Sequence, residues 1–266
     1  MDLELTDKRA LVTGGSRGIG KQVARALAAE GCDVVISARG EEALTATAEE
    51  IAAETGRKVT GIVADATSRE SIEALVAGAV ETLGGLDILV NCAAPAAGQS
   101  GPPPKLKAIT DDFFWNEINT KVLGYLRTAQ AAAPHMAANG WGRIVNIAGL
   151  SARTSMGPVG SIRNVSIAAL TKTLADELAR SGINVTAVHP GLTRTEATPG
   201  MISRIAQFQS ISEEDAEKSL VGNSIRRLVD AAEVANVVVF LASPRSVAIT
   251  GDAVAVGGGV PGPIHY

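Results

Sequence analysis

Thr13-Gly14-Gly15-Ser16-Arg17-Gly18-Ile19-Gly20 is the stretch on which the reading of this chain turns. An apolar run over Arg9–Thr13 precedes it, and an Ala-rich amphipathic run over Gly18–Glu30 follows. Strand, glycine-rich turn and helix in that order form a cradle for a diphosphate. Backbone N–H groups converge there without Cβ atoms in the way, at the positive end of a helix dipole. Gly14 permits the tight turn, Gly18 the close approach and Gly20 the packing of helix on strand. Ser16, Arg17 and Ile19 complete the expected lining.

The same rhythm continues outward. Short apolar runs read as strands near Arg9–Thr13, Asp33–Ala38, Lys58–Ala64, Leu86–Asn91, Arg143–Ala148, Asn184–His189 and Ala253–Val256. Helical patterns lie between them at Gly18–Glu30, Glu41–Glu54, Ser68–Leu83, Asp111–Asn139, Gly160–Ser181 and Ala231–Ala242. Asp111 and Ser68 are the expected N-caps; Gly56, Gly140 and Gly182 are the expected C-caps. Alternation of this kind predicts an α/β fold, one doubly wound domain over residues 1–266 with about seven parallel strands covered on both faces. Two stretches break the pattern, 95–108 and 193–224. Both follow the carboxyl ends of strands, where open α/β sheets bind their ligands, and both are expected to be variable loops. The second, polar and hinged at Pro190-Gly191, is expected to act as a substrate lid.

Composition agrees. Of 266 residues 46% are hydrophobic but only 3% aromatic, so the core is built from Ala, Val, Ile and Leu. Net charge is −4 without a basic tract, which argues against nucleic acid as a partner. Cys32 and Cys92 sit inside apolar runs and read as buried free thiols, and no metal-ligand cluster is expected. The charged start and the lack of any run of about 18 apolar residues argue against a signal peptide and a membrane span, and for a cytoplasmic protein.

The spacing Thr-Gly-x-x-x-Gly-x-Gly resembles the short-chain dehydrogenase/reductase family, and the resemblance extends over nearly the whole chain. Asp65, with Ala66, matches the family's adenine-contacting Asp. Asn91-Cys92-Ala93-Ala94 matches its Asn-Asn-Ala-Gly turn, with Ala94 in place of the glycine. Pro190-Gly191 and Thr193 match the segment that meets the nicotinamide carboxamide. Asn119 in WNEINTKVLG matches the helical Asn that supports a proton-relay water. The position where NAD-users hold the adenosine 2′-hydroxyl with an acid reads Ser37-Ala38-Arg39. With Arg17 and Arg39 converging on a 2′-phosphate, NADP(H) is the expected cofactor.

The resemblance also implies a Ser after the fifth strand and a Tyr-x-x-x-Lys at the start of the next helix. Counting back from Leu170-Thr171-Lys172 places Gly160 at the Tyr position and Asn164 at the Lys position. Tyr125 and Tyr266 are the two tyrosines, and neither is followed four residues later by Lys. The Ser position reads Ala148-Gly149, with Ser151 nearby as a substitute. A positioned general acid contributes about 10²–10⁴-fold to rate, so its loss matters. Asn164 can still donate to ribose hydroxyls. Arg163 reads equally as an anion contact or a solvated cap. His189, at the end of the sixth strand, reads mainly as a packed residue, and Thr154, Ser155 and Ser161 as turn formers.

Three readings stay open. The first is a divergent NADP(H)-dependent oxidoreductase acting on a small carbonyl, alcohol or imine-type substrate, its proton supplied through Asn119, Ser151 or the substrate itself. The second is a catalytically silent cofactor-binding pseudoenzyme, a sensor or partner subunit. The third is a non-redox lyase or isomerase. In each case a homodimer or homotetramer is expected. The small and apolar residues on Asp111–Asn139 and Gly160–Ser181 outnumber the faces one core can bury.

Overall fold

The computed structural model describes residues 1–94, 104–155 and 157–262. Seven strands form one sheet: β1 (Arg9–Thr13), β2 (Asp33–Ala38), β3 (Val59–Val63), β4 (Ile88–Asn91), β5 (Gly142–Ile147), β6 (Ile183–Pro190) and, last in the chain, Ala253–Val256. Their spatial order is β3-β2-β1-β4-β5-β6 with Ala253–Val256 at the far edge, and every pairing is parallel. The order reverses between β1 and β4. A crevice opens at the carboxyl ends of strands at such a switch point.

Alternate residues of each strand feed two cores. Ala10 and Val12 of β1, with Val34 and Ile36 of β2, pack against α1 (Gly18–Ala29), α2 (Glu41–Thr55) and a helix over Ala231–Ala242. Leu11, Val35, Leu89 and Ile144 face the other way, onto α3 (Arg69–Leu83) and a helix over Gly124–Ala138. Period-two alternation puts neighbouring side chains on opposite faces, so a parallel sheet buried on both sides reads as continuous apolar runs.

Three expectations are corrected in detail. The helix predicted over Asp111–Asn139 is broken into α4 (Asp111–Glu117), a π-helical turn (Ile118–Leu123) and α5 (Gly124–Ala138). Its N-cap is Thr110, whose hydroxyl accepts from Phe113 N at 3.2 Å, rather than Asp111. The helix predicted from Gly160 begins earlier, as α6 (Pro158–Leu178). Proline's fixed φ and missing N–H suit a first helical position. The segment 193–224 carries a short strand β7 (Thr193–Arg194), α7 (Thr198–Gln209) and α8 (Glu213–Leu220). Ile202, Ile205, Ala206, Ala216 and Leu220 give these helices a small apolar cluster of their own. β7 pairs with β8 (Val229–Asp230), after which come α9 (Ala231–Ala242) and β9, the edge strand already described at Ala253–Val256. Of the loop expected over 95–108, residues 95–103 lie outside the described residues, as does Tyr266; Leu106–Ala108 form a single 3₁₀ turn. Among the described residues no helix is long and apolar enough to cross a membrane, and no His/Cys/Asp/Glu group could hold a metal ion.

At the amino end of the sheet, Arg9 clamps Asp87, just before β4. Arg9 Nε and Nη2 donate to the two carboxylate oxygens at 2.8 Å each, and the Arg9 backbone N donates to Oδ2 at 3.0 Å. Burial alone would raise the Asp87 pKa, but these hydrogen bonds and the Arg9 charge outweigh it and hold the carboxyl below its ordinary value. A carboxylate depressed in this way stabilises the fold fully above its unfolded value of 3.8 and loses that contribution as pH falls through the lower folded value. Asp87→Asn is expected to cost about 2–3 kcal/mol at neutral pH, because Arg9 is left part-buried beside a weaker partner. The acid limb of its stability curve below pH 3.8 should flatten relative to the wild type. Urea denaturation at several pH values checks both, and parallel acid limbs would refute the assignment.

Candidate active site at the switch point

The turn between β1 and α1 is built by steric exclusion. Gly14 has φ +69°, and a Cβ there would come within 2.9 Å of the Ala93 backbone after β4. A Cβ on Gly20 would meet the Gly14 carbonyl oxygen at 2.2 Å. Thr13 Oγ1 ties the two turns together by accepting from Cys92 N at 3.1 Å and Ala93 N at 3.2 Å. Gly15 N donates to Ser37 O, and Thr47 Oγ1 to Ser16 O, each at 3.0 Å. Arg17 stands at the helix N-cap in extended conformation and makes no side-chain capping bond. Ile19 packs beneath against the core. Helix N–H groups therefore face the crevice, and one already holds an anion: Gly18 N donates to Glu196 Oε2 at 3.0 Å. Nothing in the sequence links position 196 to position 18. The Glu196 carboxylate thus lies at the positive end of α1, where a helix favours negative oxygen.

Toward the end of β2, Ser37 is buried and Arg39 is exposed. Asp65 accepts from Thr67 N at 2.9 Å and Thr67 Oγ1 at 2.8 Å. These bonds, with a smaller contribution from the Arg39 charge, hold its pKa down against burial. Ala66 O accepts from Arg127 Nη1 at 3.2 Å. Asn91 is fully buried and its amide is engaged, Nδ2 donating to Asn146 and Oδ1 accepting from Thr128. Burial raises the Cys92 thiol to about 12. On the opposite wall Gly191 N donates to Val256 O at 3.1 Å, just after Pro190 ends β6. Thr193 Oγ1 donates to Gly191 O at 3.0 Å.

Asn164 is buried on α6, one turn past Gly160. Its Nδ2 donates to Ser151 Oγ at 2.5 Å, and its Oδ1 accepts from Lys121 Nζ at 3.0 Å. Lys121 also donates to Ala148 O at 2.8 Å. Asn119 was expected to support a proton-relay water nearby. Its Oδ1 accepts from Arg127 Nη1 at 2.8 Å, and Lys121 is the side chain that reaches Asn164. The signal available was a single lysine opening the otherwise apolar run Lys121-Val122-Leu123-Gly124-Tyr125. Desolvation, reinforced by the charge of Arg163, holds the Lys121 amine well below the ordinary lysine range. Arg163 is occupied in an ion pair with Glu117, so neither the anion contact nor the solvated cap describes it.

Gly160 lies in helical backbone, and a Cβ there would point at Ser151 Oγ from 3.6 Å. Ser151 thus fills space in front of that glycine, with its hydroxyl directed at Gly160 O, 3.2 Å away. Thr154 and Ser161 hydroxyls bond loop carbonyls, as turn formers do. His189 is buried with Nδ1 against the Gly149 backbone.

Residues 14–261 match the family model described as Enoyl-(Acyl carrier protein) reductase. The chain is 34% identical over 265 residues to 3-oxoacyl-(acyl-carrier-protein) reductase of Aquifex aeolicus, covering 98% of this chain and 100% of that one. It is 36% identical over 262 residues to human dehydrogenase/reductase SDR family member 4, covering 97% and 88%. Among solved structures it superposes on L-sorbose reductase from Gluconobacter frateurii, complexed with NADPH and L-sorbose, with TM-score 0.93 and 27% identity over 99% and 100% of the chains. Actinorhodin polyketide ketoreductase with NADPH gives TM-score 0.88 at 34% identity over 96% and 98%. The chain belongs to the short-chain dehydrogenase/reductase family.

Proposed function

We propose that this protein is an NADP(H)-dependent oxidoreductase that exchanges hydride with a small carbonyl, alcohol or imine-type substrate. The observation that carries the reading is the glycine cradle with a carboxylate seated on Gly18 N, beside an exposed Arg39 and no acid at the end of β2. Relatives solved with NADPH support the same cofactor. Gly14, Ser16, Arg17, Gly18, Ile19 and Gly20 would hold the diphosphate, and Arg17 and Arg39 the 2′-phosphate. Asp65 and Ala66 would line the adenine side. Asn91 and Ala93 would border the nicotinamide ribose with Asn164, and Pro190, Gly191 and Thr193 would meet the carboxamide. NADP(H) bound there supplies or takes the hydride. Ser151 is the hydroxyl placed to address a substrate oxygen where Gly160 supplies no phenol. The second reading, a silent cofactor-binding subunit, draws on that same missing phenol. NADPH turnover against a panel of carbonyls and imines separates the two.

NADPH is expected to bind more tightly than NADH by calorimetry, and Arg39→Asp to weaken NADPH about 10–100-fold while sparing NADH, the scale of one lost charge-assisted contact. Equal affinities in the wild type would sink the cofactor assignment. A diphosphate must also displace Glu196. Glu196→Gln is therefore expected to tighten NADPH about two- to fivefold, the modest scale of an exposed charged contact. Unchanged or weaker binding would show that Glu196 does not compete.

The chain is further expected to form a dimer or tetramer. Trp115 (62% exposed) on α4 and Ile162 and Val165 (47% and 50%) on α6 leave apolar surface on two neighbouring helices. Light scattering at micromolar concentration reads the mass directly, and a monomer would refute the expectation.

A further inference from the structure

A lysine buried in an oxidoreductase site is costly unless it is used. Burying an amine forfeits its hydration, and a methionine would fill the same volume without that penalty. Lys121 Nζ has two acceptors in reach, Ala148 O at 2.8 Å and Asn164 Oδ1 at 3.0 Å. Both groups accept and neither donates. An ammonium has three N–H bonds and a neutral amine keeps two, so in either protonation state the lysine has hydrogens enough for both.

That has a consequence further along. An asparagine amide is two-faced, with an acceptor oxygen and a donor NH₂. With Lys121 Nζ donating to the oxygen, the NH₂ faces Ser151, and Nδ2 donates to Ser151 Oγ at 2.5 Å. The serine oxygen then accepts, and its own hydrogen must point elsewhere. At present it points to Gly160 O, a long 3.2 Å contact beside the space that glycine leaves open. Were the amide reversed, Asn164 Oδ1 would take the serine hydrogen and the hydroxyl would be spent.

We infer that Lys121 sets the direction of a hydrogen-bond chain, Lys121 to Asn164 to Ser151, that keeps the Ser151 hydroxyl hydrogen off Asn164, so that it can leave its long contact with Gly160 O and donate to a substrate oxygen. The inference rests on the oxidoreductase reading and names the residue that makes it work without a phenol. During reduction the carbonyl carbon gains hydride and the oxygen takes the Ser151 proton. The serine oxygen, held by Asn164 Nδ2, is reprotonated from water. In the oxidative direction each transfer is reversed. Lys121 touches neither substrate nor cofactor in this scheme and is a positioning residue; Asn164 holds Ser151 from its place beside the ribose.

Two substitutions separate direction from mere packing. Asn164→Asp is nearly isosteric and gives Lys121 an equal or better partner, so the protein should fold with an unchanged or higher melting temperature. An aspartate, however, offers Ser151 only acceptors and captures its hydrogen. Lys121→Met removes the donor and leaves the amide free to adopt either face. The first arm needs no substrate. In side-chain amide ¹H–¹⁵N spectra of the full-length protein, the Asn164 NH₂ pair (assigned by its loss in Asn164→Asp) should shift in Ser151→Ala. It should broaden or double in Lys121→Met. A pair indifferent to Ser151→Ala would overturn the chain, and the insensitivity of that pair to Lys121→Met would overturn the lysine's part in it.

The second arm uses a ketone that the wild type reduces with NADPH. Asn164→Asp should lower kcat about 100-fold, the scale of a mispositioned acid or carbonyl donor, with the ketone KM changed far less. Ser151→Thr should retain most of the rate and Ser151→Ala lose it. An Asn164→Asp enzyme with wild-type kcat would overturn the proposal. If calorimetry shows NADPH bound but no carbonyl is ever reduced, the oxidoreductase reading fails, and the amide spectra still decide the direction of the chain.

Discussion

Two turns of this protein are packed so closely that one methyl group would part them. A Cβ at Gly14 would stand 2.9 Å from the Ala93 backbone, and Thr13 Oγ1 holds both Cys92 N and Ala93 N on the far side. This contact joins β1 to β4, the pair at which the strand order reverses. It brings the amino end of α1 to the crevice that the reversal opens, so an anion bound on Gly18 N lies beside whatever is bound beyond β4. Arg9 and Asp87 fasten the same pair of strands at the opposite end of the sheet. The crevice is thus set by one close approach at its rim and one ion pair at its base.

The fold was legible because it is redundant in the sequence. Seven apolar runs of strand length, separated by amphipathic stretches, admit few arrangements other than a parallel sheet covered on both faces. Strand positions came within a residue or two: Arg9–Thr13, Asp33–Ala38 and Ala253–Val256 match the structure end for end. The cradle was legible for a related reason. Gly20 is demanded by the Gly14 carbonyl six residues away and Gly14 by its own positive φ, and demands that act between residues near in sequence show there. The helices of 198–220 were misread as loop because their apolar residues pack on one another in a small cluster away from the main core. That leaves too narrow a stripe to stand out beside the charged run Glu213–Lys218.

Lys121 and Glu196 were illegible for the opposite reason. Glu196 meets Gly18 across 178 residues, and no local pattern announces such a contact. Lys121 is hidden by the π-helical turn Ile118–Leu123. A wider turn rotates the residues that follow it relative to a regular helix, so facings inferred from a 3.6 period do not carry through. Motif matching chose Asn119 on residue type, whereas the backbone aims Asn119 at Arg127 and Lys121 at Asn164.

The residues around the start of α6 are not independent of one another. A Cβ at Gly149 would come within 3.0 Å of Asn164 Nδ2, so the glycine after β5 is what lets the asparagine lie against the strand end. Asn164 in turn fixes Ser151, and Ser151 stands in the space before Gly160. A tyrosine introduced at 160 alone would meet the serine hydroxyl. A lysine introduced at 164 alone would bring a second amine against Lys121, a like-charge or donor-to-donor contact in a buried setting. A serine introduced at 149 would crowd the asparagine. Each of these single changes would meet a neighbour within the same packed set. Gly149, Ser151, Gly160, Asn164 and Lys121 therefore form one packed and hydrogen-bonded unit, and a polar unit whose donors and acceptors are matched end to end holds its geometry more firmly than its separate contacts would.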